Sequence, residues 1–266
     1  MSYLTLSLPR LLLATGFIGL AIWIARRLGL GLGRDLAIGA LRAAVQLITI
    51  GYVLSFVFGH AHPWTVLPLV AAMLLVAGWT SARRIAHGPG AAALFPWALG
   101  SVAAAGAAAL LPAVGLIVPS NPWYAPQILI PLSGMMLSNA MNVSAQVFER
   151  VFAQVDSEAD LVEQLLALGA TPQQALARQT RSAVRAALVP TINGLLTVGL
   201  VALPGMMSGQ ILGGASPTQA VRYQLMVMYQ LAVVAAVAGA LSARAAQRLL
   251  FTPQDQLRRF PPSTQA

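Results

Sequence analysis

The sequence contains no cysteine and no lysine; all sixteen basic residues are arginine. The first absence excludes disulfides, thiolate metal sites, CxxCH haem attachment and a cysteine nucleophile. The second excludes a P-loop, whose phosphate-binding lysine has no candidate here. Charge of either sign is scarce, at 9% of 266 residues, where a soluble domain carries about 25%. The seven acids avoid the middles of the long apolar runs. Hydrophobic residues make up 58% of the chain, and the mean hydropathy is +0.74. Such a chain cannot cover a water-facing surface, so it reads as an all-α integral membrane protein.

The opening segment, MSYLTLSLPRLLLATGFIGLAIWIARR, lacks a basic stretch before its apolar run and shows no clear cleavage site. It reads as a retained first span rather than a signal peptide. A spanning helix needs about 20 mostly apolar residues. Seven stretches qualify: 6–25, 36–58, 64–82, 93–118, 125–148, 188–212 and 219–243. About seven transmembrane helices are therefore expected, in one transmembrane domain over 1–266. With the N terminus outside and the C terminus inside, thirteen arginines face the cytoplasm and Arg10 alone is clearly external. All seven acids fall on that same inner side. The expected arrangement is N-out/C-in, with a cytoplasmic loop over about 150–187 between spans five and six and a cytoplasmic tail over about 244–266.

The long loop carries a local pattern of its own. Acidic DSEAD favours a helix N-terminus. Leu161, Leu165 and Leu168 recur at helical spacing, and Val162 and Leu166 widen the stripe. Gly169 fits the position after the helix that needs a left-handed backbone. Thr171 then caps a second helix, with Pro172 in its first turn and Gln174 completing a capping box. The spacing predicts a helix, a glycine turn and a capped helix running on to the sixth span. An apolar stripe on a short loop helix wants a protein partner. A nucleic acid is excluded as that partner, because a hairpin held between two spans lies too close to the membrane to reach a groove.

The stretch EQLLALGATPQQA resembles the coupling loop of ATP-binding-cassette permeases, roughly E-A-A-x-x-x-G, with Glu163 and Gly169 at that spacing and Gln164 and Leu165 in place of the alanines. LRAAVQLITIGYVL, SGMMLSNAMN, RSAVRAALVPTIN, VGLVALPGMMSGQILGGASPTQAVRYQ and LFTPQDQL extend the resemblance from about Leu41 to Leu257. Together they resemble the FetB-type permease family, which includes bacterial iron-export permeases and plant aluminium-tolerance permeases. The resemblance implies a multi-pass permease subunit of the bacterial cytoplasmic (inner) membrane. It implies a permease homodimer with two copies of a separate ATPase, which binds ATP and Mg, and no cofactor or catalytic site in this chain. It implies that Glu163, Leu165, Leu166, Leu168, Gly169, Ala170 and Thr171 form the segment the ATPase grips, and that a metal ion such as iron is exported.

Polar residues inside spans are costly and mark pathways or helix contacts. Arg42 and Gln46 share one helical face in span two, as do Asn139 and Asn142, beside Ser138, in span five. Asn193 lies near the start of span six, where Pro204 and Gly205 are expected to kink the helix beside Met206 and Met207. Glu149 is expected to meet Arg150 or an arginine of the next loop. His60, His62 and His87 read as incidental surface residues, since two imidazoles do not make a metal site. No carboxylate stands at mid-membrane depth for a hard metal ion, so a sugar nucleotide or other organic anion remains an alternative cargo. The same absence argues against a proton- or sodium-coupled carrier or channel.

Overall fold

The computed structural model describes residues 8–118 and 120–260, without the side chains of Leu8, Arg10, Leu11 and Leu12. The external placement of Arg10 therefore lies outside the described residues. The chain divides into two units, residues 1–60 and 61–266. The first contains α1 (Leu8–Arg27) and α2 (Gly33–Gly59), paired as a hairpin. Gly29 and Gly31 turn the chain between them at φ of 64° and 69°, which a side chain would resist. Arg27 closes α1 with its guanidinium 5.4 Å from the Trp23 ring centroid.

The second unit is a bundle. It contains α3 (Pro63–Arg83), α4 (Ala91–Pro112) with a π-helical continuation (Ala113–Ile117), and α5 (Pro126–Ser157). Five more follow: α6 (Ala159–Ala167), α7 (Pro172–Ala175), α8 (Ala177–Thr197), α9 (Gly205–Leu212) and α10 (Pro217–Leu250). The helices α3, α5, α7 and α10 all begin on proline, where the missing N–H is no loss and φ is already helical. The core lies where α3, α4, α5, α8 and α10 meet. Small residues let these backbones approach. A Cβ on Gly78 of α3 would fall 2.9 Å from Leu99 Cδ1 and 3.0 Å from Leu99 Cα on α4. Phe148 is fully buried, and the buried faces of α4 and α10 include Ala98, Ala105 and Ala109, and Ala235, Ala238 and Ala246.

Two contacts set the direction of α10. Asn139 Nδ2 donates to the Leu231 carbonyl at 2.9 Å, and the Ser242 hydroxyl bonds that of Ser144 at 2.9 Å. Helices α5 and α10 therefore run parallel. The C-terminal ends of α3, α5 and α10 gather at one end of the bundle, with Arg83, Arg84, Arg150, Arg244 and Arg248.

The expectation of seven spans is corrected. Among the described residues five helices are long and apolar enough to cross a membrane: α2, α3, α4 with its continuation, α5 and α10. The stretch 188–212 is not one helix. Its first half belongs to α8, which starts among Arg178, Arg181 and Arg185 and stops at Thr197. Gly199 then takes φ of 82°, Val198 and Ala202 form a bridge, and Pro204 stands as the N-cap of α9. The expected kink at Pro204–Gly205 is thus a complete interruption, and α9, at eight residues, is too short to span. The stretch 6–25 begins before the described residues, and α1 is not among the five. The N-out/C-in arrangement was counted on seven crossings, and five helices chosen by length and composition do not test it.

Candidate functional site

The loop after α5 forms the expected local pattern with shifted limits. Helix α5 continues to Ser157, so the loop proper starts only there. Helix α6 ends in a Schellman turn: the Ala170 N–H donates to Leu165 O at 3.0 Å and the Gly169 N–H to Leu166 O at 2.9 Å, with Gly169 at φ of 89°. Thr171 Oγ1 accepts from the Gln174 N–H at 3.3 Å, and Gln174 Oε1 accepts from the Thr171 N–H at 2.9 Å. The capped helix is a single turn, α7, after which buried Leu176 breaks the path and α8 begins.

The apolar stripe of α6 divides in two. Val162 is fully buried, and Leu165 and Leu166 pack against the core. Leu161 and Leu168 turn outward, and Leu168 is 85% exposed. The inner half fixes the helix to its own bundle, while the outer half is free to meet something else. Two polar clasps hold the loop. Glu158, at the start of α6, accepts from Arg178 and, at 2.7 Å, from Gln179 Nε2 on α8. Glu163 and Asp160 both accept from Arg259 Nη2, at 2.9 and 3.2 Å. The hydrogen bond that Arg259 donates to Glu163 and the charge of that carboxylate, then Asp160, hold the Arg259 guanidinium above its ordinary range. The tail reaches there because Phe251 and Leu257 pair, the Arg258 N–H donates to Leu250 O at 2.7 Å, and Phe260 sets its ring edge against Phe152 of α5.

The pathway residues are scattered. Arg42 and Gln46 are exposed on α2, in the first unit. Ser138 and Asn142 are exposed on α5, and Asn142 accepts from Arg84 Nη1 at 3.0 Å. Asn139 is spent on the Leu231 carbonyl of α10. Asn193 is exposed on α8. Met206 and Met207 are half-buried on α9, and Met206 faces a cavity of about 430 Å³ with Gln210, Gln219 and Arg222.

Sequence reasoning passed over the buried polar groups. Ser133 on α5 and Gln224 and Gln230 on α10 are buried, and Ser133 Oγ, Gln224 Oε1 and both amide atoms of Gln230 lack hydrogen-bond partners. Gln230 opens on a mostly apolar cavity of about 520 Å³ between α4 and α10. The signal was available: two glutamines interrupt an apolar run in VRYQLMVMYQ, and polar intramembrane residues are functional by default. Glu149 also departs from expectation. It accepts from the Ala86 N–H at 2.7 Å and bonds His87 Nδ1 at 2.9 Å, anchoring the α3–α4 loop on α5, so His87 is not incidental. His60 stacks on Phe56, and His62 caps α3. Among the described residues no three His, Asp or Glu side chains gather as a metal site.

Long apolar helices, uncharged polar groups buried between them and arginines collected at one end define a multi-span α-helical membrane protein. The chain belongs to the uncharacterised protein family UPF0014, which residues 8–251 match. It is 41% identical to the UPF0014 membrane protein slr1647 of Synechocystis sp., over 80% of this chain and 82% of that one. It is 34% identical to the probable iron export permease protein FetB of Escherichia coli, over 93% of each chain. It is 32% identical to the protein ALUMINUM SENSITIVE 3 of Arabidopsis thaliana, over 90% of this chain and 85% of that one. No solved structure matches the chain.

Proposed function

We propose that this chain is the membrane subunit of a metal-ion exporter of the bacterial cytoplasmic membrane, driven by a separate ATP-binding-cassette ATPase. Two copies of the chain work with two ATPase subunits, which hold the ATP and Mg. The carrying observation is α6: an anchored helix that presents Leu161 and Leu168 outward at the arginine-rich end. That end is cytoplasmic by the positive-inside rule. An exposed Leu on a helix fixed from behind suits a groove on a motor protein, because force on the helix passes to α5 and α8 through Glu158. The relative named for iron export supports the cargo class. The unpaired oxygens of Ser133, Gln224 and Gln230 offer uncharged ligands to a partly dehydrated cation.

The test is reconstitution with the cassette ATPase and a screen of ATP hydrolysis across metal ions and nucleotide sugars. Metal-stimulated turnover is expected. Leu168→Asp should leave the permease folded and abolish both co-purification of the ATPase and turnover. A Leu168→Asp protein that still assembles and transports refutes α6 as the docking helix. Stimulation by nucleotide sugars alone refutes the metal cargo.

A further inference from the structure

The arginine-rich end carries a second feature, independent of α6 docking. A cavity of about 730 Å³ lies between α7, the end of α10 and the tail, with half-buried Trp97 of α4 at its edge. Arg244, Arg248 and Arg258 line it, against one acid, Asp255. Among the described residues none of the three arginines forms an ion pair. Of the other acids, Glu158 pairs with Arg178, Asp160 and Glu163 with Arg259, and Glu149 with His87, while Asp156 makes no ion pair among the described residues and shares a neighbouring hollow with Arg258.

The fold brings these like charges together through a well-bonded turn. Arg244 and Arg248 are one helical turn apart on α10, a spacing at which like charges repel. Thr252 Oγ1 accepts from the N–H groups of Gln254 and Gln256, and Asp255 adopts a left-handed backbone at φ of 58°. That turn reverses the chain and carries Arg258 back to Leu250, at the same cavity. A helix C-terminus accounts for Arg248 but not for Arg258, which lies beyond the helix. Three forked donors around one hollow match the oxygens of a phosphate, and a basic pocket at the cytoplasmic membrane surface is where phosphate headgroups sit. Trp97 suits the interfacial level.

We propose that this cavity binds a phosphate-bearing anion, held by Arg244, Arg248 and Arg258. The full chain in detergent micelles is titrated with dioctanoyl phosphatidylglycerol, with inorganic pyrophosphate and with zwitterionic dioctanoyl phosphatidylcholine, and bound adducts are counted by native mass spectrometry. One saturable adduct per chain is expected from phosphatidylglycerol or pyrophosphate and none from phosphatidylcholine. Phosphatidylglycerol alone identifies a membrane lipid as the source, and pyrophosphate alone a soluble phosphate. The tail substitution Arg258→Gln should weaken binding about five-fold, and Arg248→Gln with Arg258→Gln roughly thirty-fold. Arg258→Lys, which keeps the charge but not the fork, should bind more weakly than the parent and more tightly than Arg258→Gln. Arg181→Gln removes an exposed arginine from α8 and should change nothing. The proposal is overturned if neither anion binds saturably, or if Arg181→Gln costs as much as Arg258→Gln.

Discussion

Glu158→Ala should destabilise the protein well beyond what a surface ion pair is worth, and the reason is Gln179. That glutamine is 2% exposed, and its Oε1 already lacks a partner. Its Nε2 is satisfied by Glu158 alone, at 2.7 Å. Removing the carboxylate leaves a whole buried amide unpaired, at a cost of about 1–3 kcal/mol, with the charged acceptor favouring the upper half. The Arg178 arm adds little, because that side chain is 72% exposed and such pairs give at most about 1 kcal/mol. Expected losses are therefore about 2–3 kcal/mol for Glu158→Ala and under about 1 kcal/mol for Arg178→Ala. Adding Gln179→Leu to Glu158→Ala removes both polar partners and should return stability to within about 1 kcal/mol of the parent. Denaturant unfolding in micelles measures all of these, and hydrogen exchange reports whether α6 and α8 open first. If the double variant is as unstable as Glu158→Ala, the stranded amide is not the cause.

Gln230→Leu should raise stability by about 1 kcal/mol, since it deletes an unpaired buried amide, and a thermal melt in micelles decides it. If transport falls while the melt rises, Gln230 serves the cargo rather than the fold. Gly78→Val should cost about 1–3 kcal/mol in the same melt, because Leu99 presents backbone as well as side chain to the new atoms. Gly169→Ala should cost about 1–2 kcal/mol locally at φ of 89°, seen as faster hydrogen exchange across the C-terminal turn of α6. The Arg259 clasp should show no pH dependence from its arginine in the neutral range. A raised cation pKa stabilises below the unfolded value and is lost only as pH climbs through the folded one, which for Arg259 lies above the already strongly basic ordinary guanidinium range. A clasp that loosens between mildly acidic and mildly basic pH, read from Phe260 exchange kinetics, contradicts that reasoning.

Local chemistry was legible and remote chemistry was not. Stretches 36–58, 64–82, 93–118, 125–148 and 219–243 each fall within a long helix or overrun it by one residue, because apolar length decides a span whatever its neighbours do. Gly169, Thr171 and Gln174 form the turn and cap that their spacing implies. The stretch 188–212 failed because averaged hydropathy does not register Gly199 and Pro204 ending one helix and opening another. The Glu149–His87 and Glu163–Arg259 contacts join residues 62 and 96 positions apart, with no local pattern to announce them. The split of the α6 stripe needed the packing itself: periodicity marks Val162 and Leu168 alike, and only the bundle shows that one faces in and the other out.

The course of the tail matters to anyone building reagents. Phe260 rests on Phe152 and Arg259 grips α6, so the last described residues lie beside Glu163, on the helix proposed to meet a partner. A reagent that binds residues 258–260 would occupy the surface on which the proposed partner is to be captured. An empty pull-down made through such a reagent says more about the handle than about the protein.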